Sequence, residues 1–187
     1  MTIEVYADLR CHPTTPCAEV RAVHARVLRT SAELELNFRL DGDISGICLP
    51  APGGPQNLVE LWRHTCFEVF VTIEGQEAYH EFNFAPSREW RVYAFRAYRD
   101  PALLANQLRS PIGEVTVTGE RLELDVHLVL GDLSPTHSHS PLRLGLSGVI
   151  EPRHGRLSYW ALHHPAAKPD FHHPDSFALR LEVPQSP

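Results

Sequence analysis

Between Leu61 and Tyr98 the chain reads LWRHTCFEVF and then YHEFNFAPSREWRVYAFRAY, interleaving carboxylates, an amide and imidazoles with aromatic side chains. Glu68 and Glu81 are the residues whose type could do the most. Such a pair can accept hydrogen bonds from ligand hydroxyls, or act as acid and base on a glycosidic bond. Asn83 would add an amide that both donates and accepts, and His64 an imidazole. Trp62 and Trp160 offer indole faces that stack on the apolar side of a sugar ring or another planar ligand. Each has a blander use: the tryptophans can fill a core, and the glutamates can lie on a wet sheet face paired across strands with Arg88, Arg91 or Arg96. That alternative suits Glu81 better than Glu68, whose neighbours Phe67, Val69 and Phe70 leave a carboxylate among apolar groups.

Other chemistries find less support. Twelve histidines are present, and His163-His164-Pro165 and His172-His173-Pro174 bracket a proline-rich loop. Adjacent residues of an extended segment point to opposite sides, so each pair supplies one ligand at best, and no H-E-x-x-H or C-x-x-C motif accompanies them. No metal is expected, with His163, His164, His172 and His173 the only candidates. There is no G-x-S-x-G, P-loop or G-x-G-x-x-G. Cys66 and His64, two apart, would share a strand face without forming a nucleophile pair. No catalytic residue is assigned.

The elements that must carry these residues read as strands. Phe67, Val69, Val71 and Ile73 alternate with Cys66, Glu68, Phe70 and Thr72; His80, Phe82 and Phe84 alternate with Tyr79, Glu81 and Asn83. The clearest run is RLELDVHLVL at 121–130, with one apolar and one polar face. Further runs fall at 3–8, 20–28, 33–40, 90–98, 114–118, 142–150, 156–162 and 177–183, separated by turn-rich stretches such as LPAPGGPQN at 49–57. One segment breaks the rhythm: in RDPALLANQLRS, Asp100 as cap and Pro101 at the first helical position predict a short helix or turn. Two antiparallel sheets packed face to face satisfy the pattern, an all-β fold with at most one or two short helices.

The totals agree with one domain over residues 1–187: 21.1 kDa, 43% hydrophobic and 21% charged residues, enough to bury a core without disulfide staples. A net charge of −6 with no basic cluster argues against nucleic acid. No apolar run is long enough to span a membrane, and the N-terminus lacks a secretory leader pattern. The four cysteines show no paired spacing, so a cytoplasmic setting is expected.

The blocks W-x-H-T-C-F-E-x-F, E-F-N-F-x-P-S-x-x-W and S-Y-W-A-L-x-H-P to P-D-F-H-H-P-D resemble the DOMON-like proteins, relatives of the family 9 carbohydrate-binding modules. The resemblance implies an immunoglobulin-like two-sheet antiparallel β-sandwich of about ten strands, in agreement with the strand pattern, and a binding role without catalytic machinery. In those modules two tryptophans clamp a terminal sugar while a carboxylate and amides grip its hydroxyls, which implies Trp62 and Trp160 as the clamp and Glu68 as the carboxylate, with His64, Glu81 and Asn83 assisting. Haem-binding relatives use a methionine ligand, and only Met1 is present here, so no cofactor is expected; haem or a divalent metal remains the less favoured mode. The reading is therefore a non-catalytic domain for a saccharide or sugar-containing metabolite. The alternatives are a glycoside-acting enzyme using Glu68 and Glu81, or a haem-binding or protein-interaction sandwich that could form a homo-oligomer.

Overall fold

The computed structural model describes residues 1–50, 60–105 and 108–185. In chain order its strands are β1 (Ile3–Cys11), β2 (Val20–Arg29), β3 (Glu33–Gly42), β4 (Cys66–Ile73), β5 (Tyr79–Phe84), β6 (Trp90–Ala97), β7 (Asp100–Ala102), β8 (Ile112–Val117), β9 (Arg121–Val129), β10 (Leu142–Ile150), β11 (Ser158–Ala161) and β12 (Leu179–Leu181). A single α-helical turn, α1 (Leu130–Leu133), and four 3-10 turns are the only helical elements among the described residues.

All twelve strands are antiparallel and joined in one hydrogen-bonded order, β7-β6-β5-β4-β10-β11-β1-β2-β3-β9-β8, with β12 beside β10. The sheet folds over on itself into two layers because β1 serves both. Its Ile3–Leu9 part pairs with β2, and Arg10 and Cys11 pair with Ala161 and Trp160 of β11. Strict alternation gives each layer an apolar inner face. Leu34, Leu36, Phe38 and Leu40 of β3 and Leu122, Leu124 and Val126 of β9 meet Phe67, Val69 and Val71 of β4. Across the interface Phe38 and Phe67 stack at 4.8 Å with planes 12° apart.

The β4 layer is covered on its other side too, and this is what builds the site. All eight residues of β4 are buried. Its second apolar face, Cys66 and Phe70, packs with Leu61, Tyr79, Val149, Ala161, Phe171 and Phe177, a smaller core made where the chain after β11 folds back across the sheet. Gly145 permits the approach: a Cβ there would lie 2.7 Å from the Phe177 ring and 3.2 Å from Phe70 Cβ.

The short helix or turn expected from Asp100 is not formed over its first residues. Asp100–Ala102 is an edge strand, where a proline's missing N–H costs no ladder bond, and it pairs with β6 across a two-residue turn at Tyr98 and Arg99. Arg99 takes φ 53° in that turn, and the Asp100 carboxylate binds the Arg96 guanidinium at 2.8 and 3.0 Å instead of capping a helix. Residues 106–107 of that segment, and 51–57 of the turn-rich stretch after Leu49, lie outside the described residues.

Candidate functional site

The outer face of the β4 layer opens into a hollow of about 370 Å³ lined by Trp62, Glu68, Glu81, Tyr93, Phe95, Arg99, Val149, Tyr159, Pro169, Phe171 and His172. Strand parity explains the membership. Glu68 stands opposite Asn83 and Ser147, and Cys66 opposite Val149, which itself faces Tyr159; residues directly across a ladder share a face. Glu81 pairs with Tyr93 on its far side, adding β6 to the floor. Trp62 is delivered by the 3-10 turn Leu61–Arg63, anchored by buried Leu61, and its ring meets Tyr93 edge-on at 5.7 Å. Arg99 reaches over from the β6–β7 turn.

The floor is a pair of buried acids, Glu68 at 3% exposure and Glu81 at 6%. Ser147 donates to Glu68 Oε2 at 3.1 Å, and the Cys66 thiol lies 3.9 Å from Oε1. Asn83 donates to Glu81 Oε1 at 2.8 Å. Burial, then the neighbouring Glu81 charge, raises the Glu68 carboxyl to about 8; burial also raises Glu81. Two like acids on adjacent strands cannot both ionise cheaply in a low dielectric, so the pair holds a proton near neutral pH.

The surrounding groups are arranged by the same burial. His172 Nε2 lies 3.4 Å from Glu81 Oε2, and its Nδ1 lies 2.8 Å from Tyr79 Oη, which accepts the Arg99 backbone N–H at 3.2 Å. Burial and the Arg99 charge pull this imidazole down to about 4, so it is neutral. A phenol donating to Nδ1 leaves the ring proton on Nε2, the nitrogen nearer Glu81. Burial raises Tyr93 and Tyr159 and sends the Cys66 thiol well above its ordinary range, so all three are uncharged. The Arg99 guanidinium donates to Asp170 Oδ1 at 2.8 Å, and Tyr98 donates to Oδ2 at 2.7 Å.

Of the residues singled out from the sequence, Trp62, Glu68 and Glu81 come together around the hollow. Asn83 lies just behind, fully buried and bonded to Glu81. His64 does not join them; its Nδ1 pairs with Glu151 at 2.7 Å. Trp160 also lies elsewhere, on the inner face of β11 opposite Gly148, at 7% exposure within the main core and with its indole N–H donated to Ser158 at 3.0 Å. The neighbouring residue, Tyr159, is the one that faces the hollow, because successive strand residues point to opposite sides. Two of the three arginines that could have paired with Glu81 are engaged otherwise: Arg91 donates to the Trp90 carbonyl and Arg96 to Asp100.

The paired histidines do not converge. His164 bonds the Arg10 carbonyl and packs edge-on against His12, His172 belongs to the hollow, and His173 accepts the Asp175 N–H; no group of three or more metal-ligating side chains forms among the described residues. Tyr93, Phe95, Tyr159 and Phe171 were not singled out from sequence. For Tyr93 and Phe95 the signal was available, since they share the Glu81 face one strand over; Phe171 comes from a loop with no periodicity to read.

No protein-family model matches the sequence, and neither does any curated protein. The fold does have solved counterparts. A protein of Bacteroides uniformis ATCC 8492, itself proposed to bind carbohydrate, superimposes with a TM-score of 0.65 over 91% of this chain and 83% of its own, at 14% identity. A family 9 carbohydrate-binding module of Caldicellulosiruptor kristjanssonii, solved with cellotriose, gives 0.53 over 84% of this chain and 72% of its own, at 6% identity. At those identities the likeness is one of fold: this chain adopts the sandwich architecture of these proteins.

Proposed function

We propose that this protein binds a small saccharide or sugar-containing metabolite in the hollow above Glu68 and Glu81, without cleaving it. The observation that carries the reading is the joining of an aromatic rim, Trp62, Tyr93, Phe95, Tyr159 and Phe171, to a buried polar floor in one concavity. Stacking against the rim supplies affinity, and the floor fixes orientation by hydrogen bonds. The fold shared with a module that holds cellotriose supports the same reading.

Binding without cleavage is favoured by how the two acids are used. A glycosidase must bring both carboxyls to the scissile bond; here Glu68 accepts from Ser147 and Glu81 from Asn83, and both carboxyls are almost fully buried. Titration calorimetry with mono- to trisaccharides, alongside product detection by chromatography, tests the proposal. Saturable heat with unchanged sugar is the expected result; turnover, or no heat with any sugar, would sink it.

A further inference from the structure

We propose that the hollow selects ligands bearing a protonated amine, an amino sugar in preference to its neutral counterpart, with the ammonium group held by Glu68 and Glu81 beneath the aromatic rim. This rests on the saccharide reading for the scaffold of the ligand and goes beyond it in assigning the charge.

Hydrogen-bond supply is the first argument. A neutral sugar hydroxyl both donates and accepts, so a site built for it offers both functions. Here the side-chain donors bonded at the floor are spent on the protein itself: Ser147 on Glu68, Asn83 on Glu81, and an Arg99 N–H on Asp170. Once the proton held by the acid pair is displaced, what the two carboxyls offer is acceptor capacity, and behind them Asn83 Oδ1 is buried with no donor among the described residues. An ammonium group brings three donors and no acceptor. It answers that surplus as a hydroxyl cannot.

Charge and ring chemistry point the same way. With one proton on the acid pair, the remaining carboxylate together with Asp170 outweighs the single Arg99 cation, and the neighbouring His172, Cys66, Tyr79, Tyr93 and Tyr159 are neutral. A net negative hollow walled by aromatic rings is cation-recognition chemistry, because the electron-rich ring faces attract positive charge. A bound ammonium replaces the proton held by the pair. That proton leaves to solvent, and the charge within the hollow is conserved.

The test is calorimetry at about pH 6.5, near the ordinary range of an imidazole, with cellotriose, the corresponding β-1,4 glucosamine trimer, its N-acetylated form, and choline, each in two buffers of different ionisation enthalpy. The glucosamine trimer should bind about tenfold tighter than cellotriose and release a proton, seen as a buffer-dependent heat. Glu68→Gln and, separately, Glu81→Gln should reduce that preference toward unity. Equal or tighter binding of cellotriose overturns the cation inference and leaves the saccharide reading standing. Choline binding with no sugar binding overturns the saccharide reading and the amino-sugar inference with it. Silence toward all four overturns both, and the wild-type buffer dependence decides the matter even where a variant fails to fold.

Discussion

Glu68 stands opposite Asn83 in the β4–β5 ladder, which sets Glu81, opposite Phe70, one diagonal step away on the same face. Burial of two acids at that spacing favours keeping a proton on the pair near neutral pH, and the consequence is measurable in stability as well as in binding.

The folded-state value of Glu68, about 8, lies above its ordinary 4.5. The native state therefore keeps a proton that the unfolded chain gives up, and stability falls as pH rises through that interval and levels off above it. Above about pH 7 the histidines add little, since an unfolded imidazole is then largely neutral too. Urea unfolding should show wild-type stability declining between about pH 7 and 8 by up to about 1.4 kcal/mol per unit. Glu68→Gln should remove most of the slope. An equally steep decline in the variant would mean that Glu68 is ionised in the folded protein.

Trp62 and Trp160 should separate cleanly. Trp160 lies in the main core, so Trp160→Ala should cost about 3–5 kcal/mol. Trp62 is half-buried at the rim of the hollow, and its alanine variant should lose no more than about 1.5 kcal/mol. The ligand-induced rise in Tm should vanish for Trp62→Ala. Retention of that rise would remove Trp62 from the site.

Arg29 is fully buried and donates to the carbonyls of Leu181 at 2.8 Å, Ser140 at 2.6 Å and His137 at 3.3 Å. It thereby ties the end of β2 to β12 and to the turn before β10. Arg29→Ala leaves three carbonyls short of a donor and should cost about 3 kcal/mol. Hydrogen exchange should rise most at Leu179–Leu181; uniform exchange across the chain would show that the clamp is not local.

Gly145→Ala places a methyl against the Phe177 ring, and the outer segment must shift to admit it. The expected loss is about 1–3 kcal/mol, accompanied by weaker ligand binding because Phe171 and His172 ride on that segment. Destabilisation with full affinity would show that the hollow does not depend on its seating.

The strand pattern was legible because period-two alternation survives wherever one face is buried and the other wet, as in Arg121–Val129 against Glu33–Gly42. Glu68 was legible for a related reason: a carboxylate inside CFEVF breaks the pattern, and the structure supplies it with Ser147 and a hollow. At Trp160 residue type and strand parity point different ways, and parity prevails: the register opposite Gly148 turns the indole inward. At Asp100–Ala102 the helix-start signals of Asp100 and Pro101 yielded to pairing with β6, since Asp100 had Arg96 to bind.

By itself, then, the order of apolar and polar residues determined a layered antiparallel β-fold and marked Glu68 as a carboxylate in need of partners, because both follow from local periodicity and from the cost of burying charge. Only the tertiary structure decided that Glu81 joins Glu68, that Tyr159 and not Trp160 walls the hollow, and that Phe171, His172 and Arg99 close it. Those neighbours come from strands and loops far apart in the chain, and no local pattern encodes which of them the folded sheet will bring together.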